Sequence, residues 1–167
     1  MAIIRMDIQS VVVGAGPVAS VVVLKPRKDR GAASKLPIRI GMVEAIAISM
    51  GVDGQEQKRP KTHDLLQSVI SGLGAYLSSV VINNVEGTTF FAQLQLVNSL
   101  GETLSIDARP SDALALAVRA HAPIFAEEEV LDTAALPDFA SVERDERQRE
   151  AEAFHDFVEG LSPEDFA

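Results

Sequence analysis

The chain has 167 residues, 47% of them hydrophobic, a length that supports one compact core with an appendage and falls short of two ordinary domains. Cys is absent, which excludes disulfide frameworks, Cys-ligated zinc and thiol catalysis, and a cytoplasmic protein is expected. The net charge of -9 is uneven: residues 1 to 125 carry 12 Lys and Arg against 10 Asp and Glu, net +2, and residues 126 to 167 carry 3 against 14, net -11. A mildly basic body with an acidic tail leaves two roles open for that tail, a solvated surface or a competitor for an anionic ligand.

From the N-terminus, alternation and β-branched content predict strands over about 3 to 13, 18 to 26 and 36 to 40. "SVVVGAGPVASVVVL", Ser10 to Leu24, is the stretch that could imitate a membrane or targeting segment, but it falls short of the roughly 18 residues a span needs. Gly14, Gly16 and Pro17 split it into two Val-rich halves, so a hairpin is predicted and no membrane association is expected. Gly14, Gly16 and Ala19 also match the G-x-G-x-x-A fingerprint. That motif works by presenting a helix N-terminus to a pyrophosphate, and "SVVVLKPR" reads as a strand, so dinucleotide binding is set aside.

After the basic loop "KPRKDRGAASK", "MVEAIAISMGV" places Met42, Val43, Ile46 and Met50 at helical spacing, with Gly51 as a stop and Glu44 in the first turn. A polar stretch then leads to Thr62 as an expected N-cap. Leu65, Leu66, Val69, Ile70 and Leu73 mark the expected buried stripe of a second helix, and His63 and Asp64 fall in its first turn. "YLSSVVINNV", "TTFFAQLQLV" and "ETLSIDA", joined by turn-prone links, predict an antiparallel meander.

The meander runs directly into "DARPSDALALA", where Ser111 is the expected N-cap of a third helix, over about Ser111 to Ala120, apolar almost all round and so buried. "HAPIF" ends that helix and starts a short strand. Beyond Pro137, Phe154, Phe157, Val158 and Leu161 recur at i, i+3, i+4 and i+7, predicting an amphipathic tail helix. The fold class is therefore α+β: a single domain over 1–132 with a mixed, largely antiparallel sheet and about three packed helices, followed by an acidic helical tail over 133–167.

Chemistry narrows to few residues. His63, His121 and His155 show no paired metal spacing, and Ser111 lacks the G-x-S-x-G elbow of a hydrolase nucleophile. What remains is Glu44, His63, Asp64, Asp107, Arg109 and Asp112, all at predicted element ends. Asp64 and Asp112 could simply offset helix dipoles, worth roughly 0.3 to 1 kcal/mol each, with Arg109 pairing Asp107 or Asp112. Alternatively, two helix starts that each combine an acid with a second functional group form a site suited to phosphodiester cleavage. Asp64, Asp107 and Asp112 would hold Mg²⁺ or Mn²⁺, Arg109 would steady the phosphate, and His63 would move a proton.

"LPIRIGMVEAIAI", "RPKTHDLL", "GTTFFAQL", "DARPSDALALAVR" and "APIFAEEEVL", in order and at compatible spacing over about residues 5 to 132, together resemble the bifunctional nuclease family, some of whose members degrade DNA and RNA. The tail "FHDFVEGLSPEDF" resembles the end of bacterial members. The resemblance implies an α+β domain with a mixed sheet, a homo-oligomer with a dimer favoured, and a nuclease acting on DNA or RNA. The matching polar positions are Glu44, Thr62, His63, Asp64, Asp107, Arg109, Ser111 and Asp112. The chain departs at Arg39, a position often aromatic in relatives. The competing expectation is a non-catalytic oligomeric module that binds a regulator or metabolite through the same cluster; the acidic tail, 5% aromatic content and lack of a basic stripe suit it.

Overall fold

The computed structural model describes residues 2–28, 33–54, 58–137 and 139–159. The expected hairpin is formed by β1 (Ile3–Val12) and β2 (Ser20–Pro26), which pair antiparallel from Met6 against Pro26 to Val12 against Val21, with a bulge between Ile8 and Ser10. Gly14 makes the turn possible: its N–H donates to Ser20 Oγ at 3.0 Å, and a Cβ there would collide with the backbone of Val18 and Ala19. The residues after the glycines are thus a strand, and no helix N-terminus is presented to a pyrophosphate.

β3 (Ala33–Ile40) adds antiparallel to β2, and α1 (Met42–Val52) and α2 (Thr62–Gly72) follow. The meander is β4 (Tyr76–Glu86), β5 (Thr89–Val97) and β6 (Thr103–Ala108), leading into α3 (Pro110–Ala120). β7 (Ile124–Glu127) then inserts between β4 and β1, parallel to the first and antiparallel to the second. The result is a mixed sheet of seven strands in the order β6-β5-β4-β7-β1-β2-β3, extended beside β3 by the two-residue β8 (Leu136–Pro137). The chain continues through α4 (Glu128–Ala134), which precedes β8, and α5 (Phe139–Glu159), which follows it.

Register puts the core on one face of this sheet. Leu36 and Ile38 oppose Leu24 and Val22; Met6 opposes Ile124; Val80 and Ile82 oppose Leu94 and Ala92. All are buried and pack with α3, where Ala113 to Ala117 are almost completely enclosed. α3 packs against α1, α2 and the strands β4 and β5, so an apolar surface on several sides is what its position requires. Burying Leu114 and Leu116 removes about 1.5 to 3 kcal/mol worth of apolar surface from water for each. The opposite sheet face carries Arg5 stacked 5.4 Å from the Phe125 ring centroid and, further along the sheet on β5, Gln93 and Gln95.

Several expectations are corrected. α3 begins at Pro110 with Arg109 as N-cap, because Pro's missing N–H and fixed φ suit the first helical position; Ser111 is one residue inside. Lys61, not Thr62, caps α2. The helical faces also differ: α1 buries Ala45 and Ile48, leaving Val43 71% exposed, and α2 buries Ile70, leaving Leu73 79% exposed with Leu65 and Val69 also in solvent. α4 is an additional helix, with Val130 and Leu131 buried against the sheet. On α5, Phe154 and Phe157 are exposed; the Val158 side chain and Leu161 lie outside the described residues. Among the described residues no helix is long and apolar enough to cross a membrane.

Candidate active site

Glu44, Asp64 and Asp112 share a local address: each is the third residue after its helix N-cap, Gly41, Lys61 and Arg109. A carboxylate there sits in the positive end of the helix dipole. Tertiary packing then gives the three different partners.

Asp64 is fully engaged in fastening. Its Oδ2 accepts from Lys61 N–H at 2.9 Å, one half of a capping box, and its Oδ1 accepts from Arg119 Nε at 2.6 Å. The Arg119 side chain is only 8% exposed and also donates from Nη1 to Ala115 O at 2.7 Å. The Lys61 backbone bond, opposed by partial burial and reinforced by Arg119, holds the Asp64 carboxyl below the usual range. Gly51 permits this arrangement, since a Cβ on α1 at that point would collide with Val118 and with the Arg119 guanidinium.

Asp112 is occupied sideways. Its Oδ1 accepts from His63 Nε2 at 3.0 Å and its Oδ2 accepts from Arg109 Nε at 2.8 Å. Burial pushes the carboxyl up, but the bonds from Arg109 and His63 outweigh that and leave it below the ordinary carboxylate range. Arg109 also reaches Glu44 Oε1 from Nη1 at a long 3.5 Å, and its bond to Asp112 holds the guanidinium more firmly protonated still. An ionised carboxylate only accepts, so the hydrogen of this bond lies on Nε2; in the neutral imidazole the lone pair is then on Nδ1. The His63 side chain remains 14% exposed.

One chain of contacts, His63 to Asp112 to Arg109 to Glu44, therefore joins α2, α3 and α1. Beside it opens a cleft of ≈ 300 Å³ lined by Glu44 and Arg109 together with Arg39, Thr88, Thr89 and Phe90. Ser111 borders the cleft but is 6% exposed, and His63, the imidazole of the neighbouring linkage, turns its Nε2 to Asp112 instead of to the Ser111 hydroxyl.

Asp107 stands apart. It is exposed on β6 opposite Gln93 and makes no side-chain hydrogen bond or ion pair among the described residues. The set Asp64, Asp107 and Asp112, expected from the sequence to hold a divalent cation, is not gathered: no group of three His, Asp or Glu capable of holding a metal occurs among the described residues. The physical reason is competition, since Asp64 and Asp112 have already spent their oxygens on Arg119, Arg109 and His63.

Sequence reasoning missed Arg119 and the cleft residues Thr88, Thr89 and Phe90. Arg119 had a signal. It is the one basic residue in an otherwise apolar helix, seven positions after Asp112, two turns on and therefore on the same face.

Residues 22–138 match the family model described as the bifunctional nuclease domain. The chain belongs to the bifunctional nuclease domain family. Two uncharacterized proteins from Mycobacterium tuberculosis strains, CDC 1551 / Oshkosh and ATCC 25618 / H37Rv, are each 41% identical to it over 135 residues, covering 78% of this chain and 80% of theirs. Bifunctional nuclease 1 of Arabidopsis thaliana is 29% identical over 100 residues, covering 59% of this chain and 31% of that protein. The matched region contains every member of the His63, Asp112, Arg109 and Glu44 chain.

Proposed function

We propose that this protein hydrolyses phosphodiester bonds of nucleic acid, in both DNA and RNA, using His63 as general base and Arg109 as the group that steadies the phosphate. The observation that carries the reading is the His63–Asp112–Arg109 linkage, whose Arg109 end lines an open cleft. Asp112 orients the imidazole through Nε2, Nδ1 takes a proton from water as the oxygen attacks phosphorus, and the bond from phosphorus to the leaving nucleotide oxygen breaks, that oxygen taking its proton from solvent. Arg109, only loosely tied to Glu44, can turn donors toward the non-bridging oxygens. Family membership and the relative named Bifunctional nuclease 1 support the reaction class.

No step is assigned to Mg²⁺ or Mn²⁺, because the three acids expected to bind one do not converge. The test is cleavage of end-labelled single-stranded DNA and RNA by purified protein, with Mg²⁺, with Mn²⁺ and with EDTA, alongside His63→Ala. Cleavage lost in His63→Ala supports the proposal; cleavage at equal rate in that variant refutes it. A homo-oligomer, favoured as a dimer, belongs to this reading. Uncovered apolar side chains on α1 and α2, such as Val43 and Leu73, support it, and light scattering reads it.

A second reading, a non-catalytic oligomeric module that binds a regulator or metabolite through the same cluster, is favoured by the mutual neutralisation of Arg109 with Asp112 and Glu44, which occupies charges that phosphate chemistry would use. It predicts saturable ligand binding with no cleavage under any of those ion conditions.

A further inference from the structure

Arg39 and Ile40 border two clefts at once. On one side is the ≈ 300 Å³ cleft already described; on the other is a second, more open one of ≈ 470 Å³ lined by Pro17, Val18 and Met42. Arg39 and Ile40 are their shared wall, so the two clefts are neighbouring halves of a groove that reaches Pro17 and Val18 on one side and Thr88 and Thr89 on the other.

The charges along this groove are not equivalent. Arg109 is neutralised by Asp112 and Glu44, whereas Arg39 is exposed and forms no ion pair among the described residues. An anion entering the groove meets Arg39 as the guanidinium with unspent donors, with the Thr88 and Thr89 hydroxyls across the first cleft. The remaining lining combines apolar residues, Phe90 and Ile38 among them, with Ser111 and the mutually paired Glu44 and Arg109, and its volume is at the small end for a ligand pocket, enough for about one nucleotide. A base stacked inside a duplex cannot reach such a wall; an unpaired one can.

We propose that this groove is a binding site for single-stranded nucleic acid, with Arg39 on a backbone phosphate between two nucleotides, one of which lodges its base against Phe90. The inference rests on the nuclease reading only for the identity of the polymer, and it names the form of substrate, single strand rather than duplex. Arg39 acts here by binding and takes no part in proton transfer.

The test measures fluorescence anisotropy of a labelled short single-stranded oligonucleotide and of its duplex, titrated with full-length His63→Ala protein in EDTA so that the probe is not consumed. Adding Arg39→Glu to that background is expected to weaken single-strand binding by about tenfold or more, the loss of one charged contact. Lys25→Glu, an equal charge reversal on β2 outside both clefts, is expected to weaken it by less than about twofold once salt screens net charge. Equal losses in the two variants, no loss in Arg39→Glu, duplex binding as tight as single-strand binding, or no binding by the parent would each overturn the proposal. Arg39-dependent binding by a wild-type protein that never cleaves would sink the nuclease reading and leave the groove standing; cleavage indifferent to Arg39→Glu would do the reverse.

Discussion

The starts of α2 and α3 are built alike and used differently. Lys61-Thr62-His63-Asp64 and Arg109-Pro110-Ser111-Asp112 each run from a basic N-cap to an acid in the third helical position. In α2 that acid closes onto its own N-cap and onto Arg119, so it holds two helices together. In α3 the acid leaves its N-cap alone and turns to His63 and to the side chain of Arg109. A position that favours a carboxylate on dipole grounds therefore says nothing about its task; the neighbouring helix assigns it. Asp64 is a fastener, whereas Asp112 gathers Arg109 from its own start and His63 from the start of α2.

That contrast can be broken most sharply at His63. His63→Ala should lower the cleavage rate by about 10² to 10⁴, the usual contribution of a positioned acid–base group, with an unchanged circular dichroism spectrum. Asp112→Asn should follow, losing about 10²-fold or more because the amide cannot fix the imidazole hydrogen on Nε2, and its thermal midpoint should fall less than that of Asp64→Asn because Arg109 is solvent-exposed. Asp64→Asn should invert the pattern. Leaving the enclosed Arg119 without its carboxylate should cost about 3 kcal/mol in urea unfolding, while the protein that remains folded keeps its turnover. If Asp64→Asn abolishes turnover at full stability, the division of labour between the two acids is wrong.

Acid titration gives a smaller, shared effect. Asp64 and Asp112 both hold their protons less tightly when folded than when unfolded, so each adds stability that is complete above the unfolded value of about 3.9. That stability is lost as pH falls through the lower folded values. Urea midpoints should therefore stay level from neutral pH down to about 5 and decline below about 4, and Asp64→Asn should flatten part of the decline. The smallest change should come from Glu44→Gln, since the 3.5 Å contact to the exposed Arg109 is long and solvated; a loss of less than about 1 kcal/mol in folding is expected.

Legibility in the sequence followed the periodicity. Strands whose alternation is strict, such as β5 with Ala92, Leu94 and Leu96 inward and Gln93 and Gln95 outward, were readable because one face is enclosed and the other is not. α3 was readable because an uninterrupted apolar surface has to be buried. α1 and α2 were misread on their faces: several apolar stripes compete on α1, and α2 turns Leu65, Val69 and Leu73 outward while Ile70 alone is buried. Nothing local to a helix states which stripe its neighbour will cover. For the site, Glu44, His63, Arg109 and Asp112 were singled out by residue type at element ends and proved to be in contact, whereas Asp64 and Asp107 had the same local appearance and proved to be elsewhere engaged or isolated.

Sequence alone determined the α+β class, the hairpin, the meander and the helix that follows it, because each depends on patterns within a few residues: alternation, turn chemistry, and unbroken apolar surface. Tertiary structure decided which carboxylate meets which cation, that no acid triad gathers among the described residues, and that Arg39 stands between two clefts. Those outcomes depend on α2 and α3 lying side by side and on β3 approaching the β4–β5 turn, contacts between segments dozens of residues apart. A charge pairs with whatever comes within a few ångströms of it, and only the packed chain sets those distances.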